Sequence, residues 1–412
     1  MKIKVCFFTQ YYLPEMGAPP ARISEVAESL SEKGHDVSVI TAVPNRPLGK
    51  IKKGYDKKNY YHSYENGIHI HRVKVFLPKG LGSYFSRLIT EASFFFFSFF
   101  YAFSIIRKSE VIIIQNPPLF SGLFACLVKC LSNTKVINWC SDIWPDLLIE
   151  LGSLKKNSLI CWSMKLIQRI NFACSDSVAV TTPNSLNVLQ KNYKTKNALL
   201  WRNAVDTYFF KPNKNGYDYR KEWGLSSNKF IIGYAGLHGN FQNLNTILDA
   251  CKLLRNKNSK IHVVLVGDGI QKEHLNNRKL NENIENLTLF DSLERDAMPD
   301  LLQSFDAIVI PLARPMPSTI PSKFYEALAA GKPSIVVSDS EISNMVDDNK
   351  VGKIYIYGNE QSLAQEIIKL VDLDKNSFKK MGENARKLSL EFDRQKIVTK
   401  IESDLKNLLQ RF

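Results

Sequence analysis

The sequence predicts an α/β protein built from two parallel β-sheets, one in each half of the chain. Short runs of Val and Ile alternate with amphipathic helical stretches along all 412 residues. Such unalternated apolar strands are typical of sheets that are buried on both faces. The length exceeds that of one ordinary core, so two domains are expected. An apolar content of 44% and a charged content of 23% fit a folded soluble protein.

Apolar runs mark the strands, and patterns with helical periodicity lie between them. In the first half the predicted strands are 3–8, 36–41, 67–76, 111–115, 135–139 and 177–181. In the second half they are 230–235, 262–266, 287–290, 307–310 and 333–337. The helical patterns include 21–33, 245–255, 296–304 and 362–373. Two such series predict two Rossmann-like domains with a boundary near residue 203.

Charge is distributed unevenly between the two halves. Residues 1–200 contain 25 lysines and arginines against 13 acidic residues, a balance of +12, whereas residues 201–412 contain 30 against 27, a balance of +3. A basic half suggests an anionic partner, such as nucleic acid, an acidic membrane face or a phosphorylated acceptor. A generally basic proteome is the alternative, although it does not account for the asymmetry. The chain shows no known nucleic-acid-binding motif, so no nucleic-acid partner is expected.

Cysteines and histidines are scattered rather than clustered. The seven cysteines form no Cys-x-x-Cys pair, which predicts reduced, buried thiols in a cytosolic protein. His69 and His71 alternate along a predicted strand without an evident third ligand, so we interpret them as surface residues and expect no metal site. The chain opens on the predicted strand 3–8, so no signal peptide is expected.

A phenylalanine-rich segment, residues 92–106, stands out in the basic half. It has fifteen uncharged residues, fewer than the ~20 that a membrane-spanning helix requires. A strand and a further loop follow at once, so a span would divide the domain. Two interpretations remain: a helix buried in the first domain, or a helix that lies partly exposed and docks onto a membrane interface.

The most informative motif is PSKFYEALAAGKP at residues 321–333. It lies between two apolar runs and predicts the order strand, loop, short helix, strand. Lys323 and Glu326 are three residues apart and share one helix face. A cation and a carboxylate at the carboxyl end of a parallel strand suit a nucleotide, with Lys323 near phosphate and Glu326 near the ribose hydroxyls.

Other strand ends carry candidate ligand groups. After strand 230–235 comes the loop GLHGN at 236–240, where glycine backbone can meet a diphosphate and where His238 and Asn240 could donate hydrogen bonds. Arg314 precedes the Lys323 loop and is either a second cation for the diphosphate or a solvated loop residue. The glycines of VGDG at 266–269 are interpreted as a turn with backbone contacts.

The first half has two comparable positions. Gly17 opens a helix after strand 3–8, which either forms a tight turn or presents free N–H groups to an anion. Asp142 follows strand 135–139, where its carboxylate either accepts a hydrogen bond from a substrate hydroxyl or caps the next helix.

Taken together, these motifs resemble glycosyltransferase family 4, retaining enzymes of the GT-B fold. Within it they are similar to the bacterial surface-polysaccharide transferases that include fucosamine (N-acetyl-fucosamine) transferases. The resemblance covers nearly the whole chain. In the first half it rests on PEMGAPPAR at 14–22, GHDV at 34–37, NPP at 116–118 and DIWP at 142–145. In the second half it rests on NAVD at 203–206, YAG at 234–236, VGDG at 266–269 and the motif at 321–333.

The resemblance implies two Rossmann-like domains that face each other across a cleft. Residues 1–203 would bind the acceptor, residues 204–391 would bind a nucleotide-sugar, and a last helix of about 392–412 would cross back to the first domain. Glu326 would bind the ribose, with Lys323 and Ser322 beside the diphosphate. The backbone of Gly236 and Gly239 would pass near it, and Gly17 and Asp142 would face the reacting groups.

The chain departs from the family pattern at several positions. Ser318 stands where many members have the first of two glutamates, Ala204 replaces a glycine, and Ser141 replaces an arginine. Residues 240–243 are uncharged where a lysine is common. These departures increase the expected importance of Lys323 and Arg314 for binding the diphosphate.

The resulting expectation is a cytoplasmic glycosyltransferase, peripheral on the inner face of the cytoplasmic membrane. It would move a sugar from a nucleoside diphosphate donor, UDP in the first instance, to a polyprenyl-diphosphate-linked acceptor, without a metal or other cofactor. Two alternatives remain open, a nucleotide-sugar epimerase of the same fold and a non-catalytic subunit that binds sugar nucleotide or lipid. A dehydrogenase is disfavoured because no Gly-x-Gly-x-x-Gly follows the first strand.

Overall fold

The chain folds into two compact units, each built around one β-sheet. The structure, a computed structural model, describes residues 1–15, 17–46, 49–78, 84–195, 197–213, 216–255, 260–314, 316 and 318–410. Unit 1 comprises Met1–Asn203 with Gln395–Phe412, and unit 2 comprises Ala204–Arg394. The predicted α/β class is confirmed. Of the motif at 14–22, Met16 lies outside the described residues.

Unit 1 contains an eight-stranded sheet in the order β3-β4-β2-β1-β5-β6-β7-β8. Its strands are β1 Lys4–Phe8, β2 Asp36–Ala42, β3 Tyr60–Glu65, β4 Ile68–Val73, β5 Val111–Asn116, β6 Lys135–Cys140, β7 Ser177–Val180 and β8 Ala198–Leu200. The expected parallel sheet is mixed, because β3 pairs antiparallel with β4 at one edge. Polar and aromatic β3 was not predicted, since it lacks the Val/Ile run that marks a buried strand.

Helices pack against this sheet between its strands. They are α1 Ala18–Glu32, α2 Tyr84–Lys108, α3 Phe124–Leu131, α4 Asp146–Glu150, α5 Leu159–Ala173 and α6 Pro183–Val188. A 3₁₀ turn, Phe120–Leu123, precedes α3, and a π-helical turn, Leu189–Tyr193, follows α6. Prolines in the first turn of α1 fit its start, because those N–H groups have no partner within the helix.

Unit 2 contains a six-stranded parallel sheet in the order β11-β10-β9-β12-β13-β14. Its strands are β9 Phe230–Ala235, β10 Ile261–Val266, β11 Leu287–Phe290, β12 Ala307–Ile310, β13 Ser334–Val337 and β14 Gly352–Tyr355. Its helices are α7 Tyr219–Glu222, α8 Leu244–Arg255, α9 Lys272–Asn281, α10 Met298–Gln303, α11 Ser322–Ala329, α12 Glu341–Asn349, α13 Glu360–Val371 and α14 Lys375–Ser389. Asp374 caps α14 by accepting hydrogen bonds from the N–H groups of Asn376 and Ser377.

The last helix, α15 Arg394–Gln410, belongs with unit 1 from Gln395 onward. The indole Nε1 of Trp201 donates to Asp404 Oδ2 at 3.0 Å, and Trp201 is buried. Lys33 Nζ lies 3.3 Å from Glu402 Oε2. These contacts fix α15 against the rest of unit 1.

The phenylalanine-rich segment forms part of α2, which has 25 residues and is longer than the predicted apolar segment. Phe94, Ala102 and Ile106 are buried in the core of unit 1, whereas Phe96 and Phe100 are exposed. Among the described residues, Leu88–Lys108 is the one helical stretch that is long and apolar enough to cross a membrane. Only 28% of its most apolar 18 residues are buried inside the protein. The inner face of α2 packs like an ordinary core helix, and its outer face does not.

The prediction of reduced, buried thiols is wrong for three cysteines. Cys126 and Cys174 form a disulfide across 48 residues of sequence, and Cys130 is exposed. The pairing was hidden from the sequence because α3 and the end of α5 become neighbours through packing on the sheet. Four free cysteines are buried as predicted: Cys6, Cys140, Cys161 and Cys251.

Candidate functional site

The carboxyl ends of the unit 2 strands bring several predicted residues together. Glycine-containing loops follow β9 and β10, and α11 begins after the loop that follows β12. Because neighbouring strands run parallel, these loops meet at one edge of the sheet. The residues of the predicted nucleotide site lie along this edge.

Lys323 lies directly on the backbone of Gly236. A Cβ atom at Gly236 would be 2.2 Å from Lys323 Cε and 2.6 Å from its Nζ, so a side chain there would displace the ammonium. Gly236 also has φ +141°, which disfavours other residues. The ammonium lies 5.5 Å from the centroid of the buried Tyr234 ring. Glycine at position 236 is therefore required for the position of Lys323.

The charge of Lys323 is under opposing influences. Burial lowers its pKa from the ordinary value, whereas the carboxylate of Glu326, one turn along α11, acts to raise it. Burial has the larger effect. An incoming anion would reverse that shift, because a negative charge beside the ammonium favours its protonated form.

His238 is fully buried beside this lysine. Within the described residues, neither of its ring nitrogens has a hydrogen-bond partner. Its pKa is lowered to about 4 mainly by burial, with contributions from Lys272 and Lys323 and an opposing effect of Asp268. The ring is therefore neutral at pH 7 and has one N–H to donate and one nitrogen to accept. We refer to Gly236, His238, Lys323 and Glu326 as the Lys323 group.

Two further glycines allow the loop after β10 to close on His238. A Cβ atom at Gly267 would be 1.9 Å from Gly236 O and 3.0 Å from His238 Nε2, and one at Gly269 would be 2.6 Å from His238 O. The backbone N–H of His238 donates to the backbone oxygen of Asp268 at 2.8 Å. These backbone contacts agree with the interpretation of residues 266–269 as a turn, and they show which loop the turn supports.

A cavity of about 250 Å³ adjoins the Lys323 group. It is lined by Ala235, Gly236, Leu237, Val266, Gly267, Asp268, Ser292, Leu293 and Met298. Sequence reasoning missed three of these residues. Ser292 and Leu293 lie in the loop after β11, and Met298 is the first residue of α10. The signal available was their position after a predicted strand, because no distinctive residue type marks them.

The remaining predicted residues of unit 2 lie outside the Lys323 group. Gly239 is buried before a 3₁₀ turn, Asn240–Gln242, and Asn240 Oδ1 accepts from Gln271 Nε2 at 2.5 Å. Asn240, Arg314 and Ser322 are exposed. Ser322 is the first residue of α11, and Arg314 lies on the loop after β12.

In unit 1, Gly17 and Asp142 each lie in a loop that joins a strand to the next helix. Gly17 is exposed at the N-cap of α1 with φ +134°. Asp142 is half-buried after β6, and the N-cap of α4 is Pro145. Capping of α4 is therefore not the function of Asp142. Asp146, in contrast, is held by Tyr193 Oη at 2.5 Å and Asn192 Nδ2 at 3.1 Å, which makes it a structural residue.

Among the described residues, no group of three or more His, Cys, Asp or Glu side chains is arranged to bind a metal ion. His69 and His71 share a face of β4, and His62 of β3 stacks against both rings. The interpretation of both as surface residues is wrong for His71, which is buried under the neighbouring rings. His71 Nδ1 lies 2.7 Å from Tyr60 Oη. The pKa of His71 is lowered to about 4, mainly by burial and to a smaller extent by His62 and His69. His62 Nε2 lies 3.2 Å from His69 Nδ1, so these two rings are hydrogen-bonded to each other.

Comparison with known families finds a match for the part of the chain that carries the Lys323 group. Residues 217–388 match the family described as glycosyl transferases group 1. Lys323, Glu326 and both glycine loops lie within the matched residues.

The likeness to known proteins extends beyond the matched residues into unit 1. WcaI of Escherichia coli strain K12, described as a colanic acid biosynthesis glycosyl transferase, is 25% identical over 345 residues, which is 82% of this chain and 84% of WcaI. Sucrose-phosphate synthase of Thermosynechococcus elongatus is 13% identical with a TM-score of 0.77 over 99% of both chains. HepE of Anabaena, solved in complex with UDP, is 14% identical with a TM-score of 0.72 over 98% of this chain and 100% of HepE. These likenesses establish the GT-B fold for the whole chain, as the motifs predicted.

Proposed function

We propose that this protein is a retaining glycosyltransferase that moves a sugar from a nucleoside diphosphate to a lipid-linked acceptor. The observation that carries the proposal is Lys323 lying on Gly236 beside a buried, neutral His238 that has no partner within the described residues. A half-buried cation, and a buried imidazole that lacks a partner in the described residues, are costly unless a polar ligand contacts them. The group 1 glycosyltransferase match supports a sugar nucleotide as that ligand.

In this proposal the donor lies along the Lys323 group and the adjoining cavity. The ammonium of Lys323 and the imidazole N–H of His238 contact the diphosphate, and Glu326 accepts hydrogen bonds from the ribose. The cavity walls Leu293 and Met298 are apolar and suit a planar base. HepE, a structural neighbour, was solved with UDP, which supports a UDP-sugar as the first donor to test.

The proposed chemistry proceeds on one face of the sugar, without a covalent enzyme intermediate. As the bond from the sugar to the diphosphate breaks, negative charge develops on the leaving oxygen. Lys323 and the loop N–H groups stabilise that charge, and the leaving phosphate takes the acceptor proton. Gly17 and Asp142 are assigned to the reacting sugar and the acceptor hydroxyl. No metal or other cofactor is required for these steps.

The proposed acceptor is a sugar linked to polyprenyl diphosphate, used in bacterial surface-polysaccharide synthesis. WcaI, described as a colanic acid transferase, supports a polysaccharide pathway. The +12 balance of residues 1–200 and the exposed Phe96 and Phe100 of α2 support an acceptor at an anionic membrane. The protein would act at the inner face of the cytoplasmic membrane. An N-acetylated amino sugar, such as N-acetyl-fucosamine, is the finer proposal for the transferred unit.

Calorimetry with UDP and UDP-sugars tests the site. We expect Lys323→Ala to weaken donor binding about 10- to 100-fold, since a hydrogen bond to a charged group contributes about 1.5–3 kcal/mol. Glu326→Gln should weaken donor binding less. Lys332→Ala is the matched control, because Lys332 is also a lysine of unit 2 but its Nζ already donates to Gln303 O and Phe305 O. Unchanged donor affinity in Lys323→Ala would refute the assignment.

Product analysis separates transfer from the two alternatives. A transferase releases nucleoside diphosphate in step with glycosylation of an added lipid-linked acceptor. An epimerase interconverts the sugar nucleotide without an acceptor, and a non-catalytic subunit binds the donor with neither outcome. Activity that persists with EDTA is expected, and activity that is lost with EDTA and restored by a divalent cation would contradict the metal-free mechanism.

A further inference from the structure

A second helix of unit 1, α5, has an apolar surface on the side that faces solvent. Its inner face buries Cys161, Met164, Gln168, Asn171 and Phe172. Its outer face carries Leu159, Trp162, Leu166 and Ile170, which are exposed by 80%, 63%, 43% and 39%. A spacing of three or four residues places them in one stripe along the helix. Surface helices normally present polar residues there, so the stripe requires an explanation.

Helix α2 has the same arrangement on its outer face. Ile89, Phe96 and Phe100 are exposed, and they recur at a spacing that forms one stripe opposite the buried Phe94 and Ala102. We refer to the two stripes, Ile89, Phe96 and Phe100 on α2 and Leu159, Trp162, Leu166 and Ile170 on α5, as the apolar face.

The two helices lie on one side of the unit 1 sheet, with the turn Phe120–Leu123 and α3 packed against both. Helices α2 and α5 both lead to strands on the same half of the sheet, and right-handed connections place both on the same face. One short turn links them: Asn171 of α5 donates to Leu119 O at 2.9 Å, and the next N–H, of Phe120, donates to Glu91 of α2 at 3.5 Å. Both stripes therefore point away from the sheet in the same direction.

Cations border the apolar face. Residues 151–175 contain Lys155, Lys156, Lys165 and Arg169 and no Asp or Glu. Lys155, Lys156 and Arg169 are exposed, as are Arg107 and Lys108 at the end of α2. Aromatic and aliphatic side chains bordered by exposed cations match the chemistry of an anionic lipid surface, where acyl chains lie beneath phosphate groups.

We propose that the outer faces of α2 and α5 together dock unit 1 onto an anionic phospholipid surface, with α5 as the principal contact. Trp162 and Leu166 enter the boundary between headgroups and acyl chains, and the bordering cations contact lipid phosphates. The inference deepens the proposed function by naming the surface that meets the membrane, and it takes from that function only the lipid-linked acceptor. The docking is reversible, because neither helix leaves the sheet.

Vesicle sedimentation with the full chain tests the docking. The probes are vesicles of phosphatidylcholine mixed with phosphatidylglycerol, compared with pure phosphatidylcholine. We expect binding to the anionic vesicles, and a loss of affinity of about tenfold or more in Leu159→Gln/Trp162→Gln/Leu166→Gln. Ile270→Gln/Leu280→Gln in unit 2 is the matched control, because both residues are highly exposed apolar side chains away from the apolar face. Equal binding of both variants would overturn the proposal.

Quenching of tryptophan fluorescence by brominated lipids adds a test of position. Trp162 is the exposed tryptophan of the five, so the quenched component should disappear in Trp162→Phe while sedimentation remains. Quenching that is retained in Trp162→Phe would overturn the assigned contact.

Light scattering tests a second copy of the chain as the occupant. One outcome would contradict the lipid proposal: the wild type is a dimer that does not bind vesicles, and the α5 triple variant is a monomer. The apolar face would then be an interface between two copies of the chain. Donor affinity and nucleoside diphosphate release with donor alone are measured on the same samples. They should be unchanged by the α5 variants, so failure of the docking and failure of the glycosyltransferase proposal give different results.

Discussion

The Lys323 group of unit 2 and the apolar face of unit 1 both depart from ordinary burial, but in opposite directions. In the Lys323 group, the polar ring of His238 is removed from water and has no hydrogen-bond partner in the described part of the chain, and Lys323 beside it is half-buried. On the apolar face, large side chains such as Leu159 and Phe100 are left in water. A buried polar group indicates a small ligand that satisfies it, whereas an exposed apolar stripe indicates an extended surface that covers it. The two departures thus underlie two different proposed partners, a sugar-nucleotide donor and a membrane.

The largest expected effect separates the two sides of one helix. Phe94→Ala on the inner face of α2 should lower the free energy of unfolding by about 3–5 kcal/mol, because it leaves a cavity in the core. Phe96→Ala on the outer face should change it by less than about 0.5 kcal/mol. Phe94 is 1% exposed and Phe96 is 56% exposed. Chemical denaturation measures both, and comparable losses would show that the outer face is packed in the folded protein.

The second prediction concerns the support of Lys323 by glycine. Gly236→Ala should weaken donor binding about 100-fold, because its methyl group displaces the ammonium and with it about 2–3 kcal/mol of interaction with a charged group. Gly224→Ala is the control, since Gly224 also has a positive φ but has nothing within 4 Å of the added carbon. Calorimetry should show normal donor binding in the control. Equal binding by both variants would contradict the position assigned to Lys323.

The third prediction uses the titration of His238. Burial lowers its folded pKa to about 4, so between pH 6.5 and 4 the unfolded chain binds a proton that the folded chain does not. The stability of the folded state is thus complete above pH 6.5, and we expect it to fall by about 2 kcal/mol per buried histidine on acidification to about pH 5.

The matched control for His238 is His262, whose pKa is also lowered to about 4 by burial and which lies 2.9 Å from Thr288 Oγ1 in the sheet of unit 2. His238→Asn and His262→Asn should each reduce the dependence of urea midpoints on pH. His238→Asn alone should also weaken donor binding. Loss of donor affinity in both variants would indicate a general effect of stability rather than a contact.

The smallest effect is expected for an exposed cation. Arg314→Gln should weaken donor binding no more than about fivefold, since Arg314 is exposed and its charge is screened by salt. Its contribution should vanish at high ionic strength, whereas that of Lys323 should persist. Binding measured across a salt series checks both residues, and an Arg314 effect that equals the Lys323 effect would place the diphosphate on the exposed loop.

Much of the fold was predictable because buried parallel strands have a simple sequence pattern. The observed strands β9, β11 and β12 have the predicted bounds. Strands β3, β8 and β14 were missed, since edge strands need not be continuously apolar. The disulfide between Cys126 and Cys174 was missed because packing, and not spacing, brings α3 and α5 together.

The candidate site was predictable to a different extent in its parts. Lys323, Glu326, Gly236 and His238 were accessible because each follows a strong strand signal. The cavity residues Ser292, Leu293 and Met298 have ordinary residue types, so their role depends on the loop geometry. The outer stripe of α5 was also missed, since its sequence is apolar on nearly every side and periodicity alone does not identify the face that packs.

The sequence by itself determined the α/β class, the strand ends and the residue types available for a nucleotide site, because local periodicity and turn chemistry depend on neighbours along the chain. The tertiary structure decided which of those residues come into contact. It placed the Lys323 ammonium on Gly236, buried His238 without a partner among the described residues, and turned one face of α5 to the sheet and the other to solvent. The physical reason is that burial and proximity depend on contacts between distant segments, which no local pattern contains.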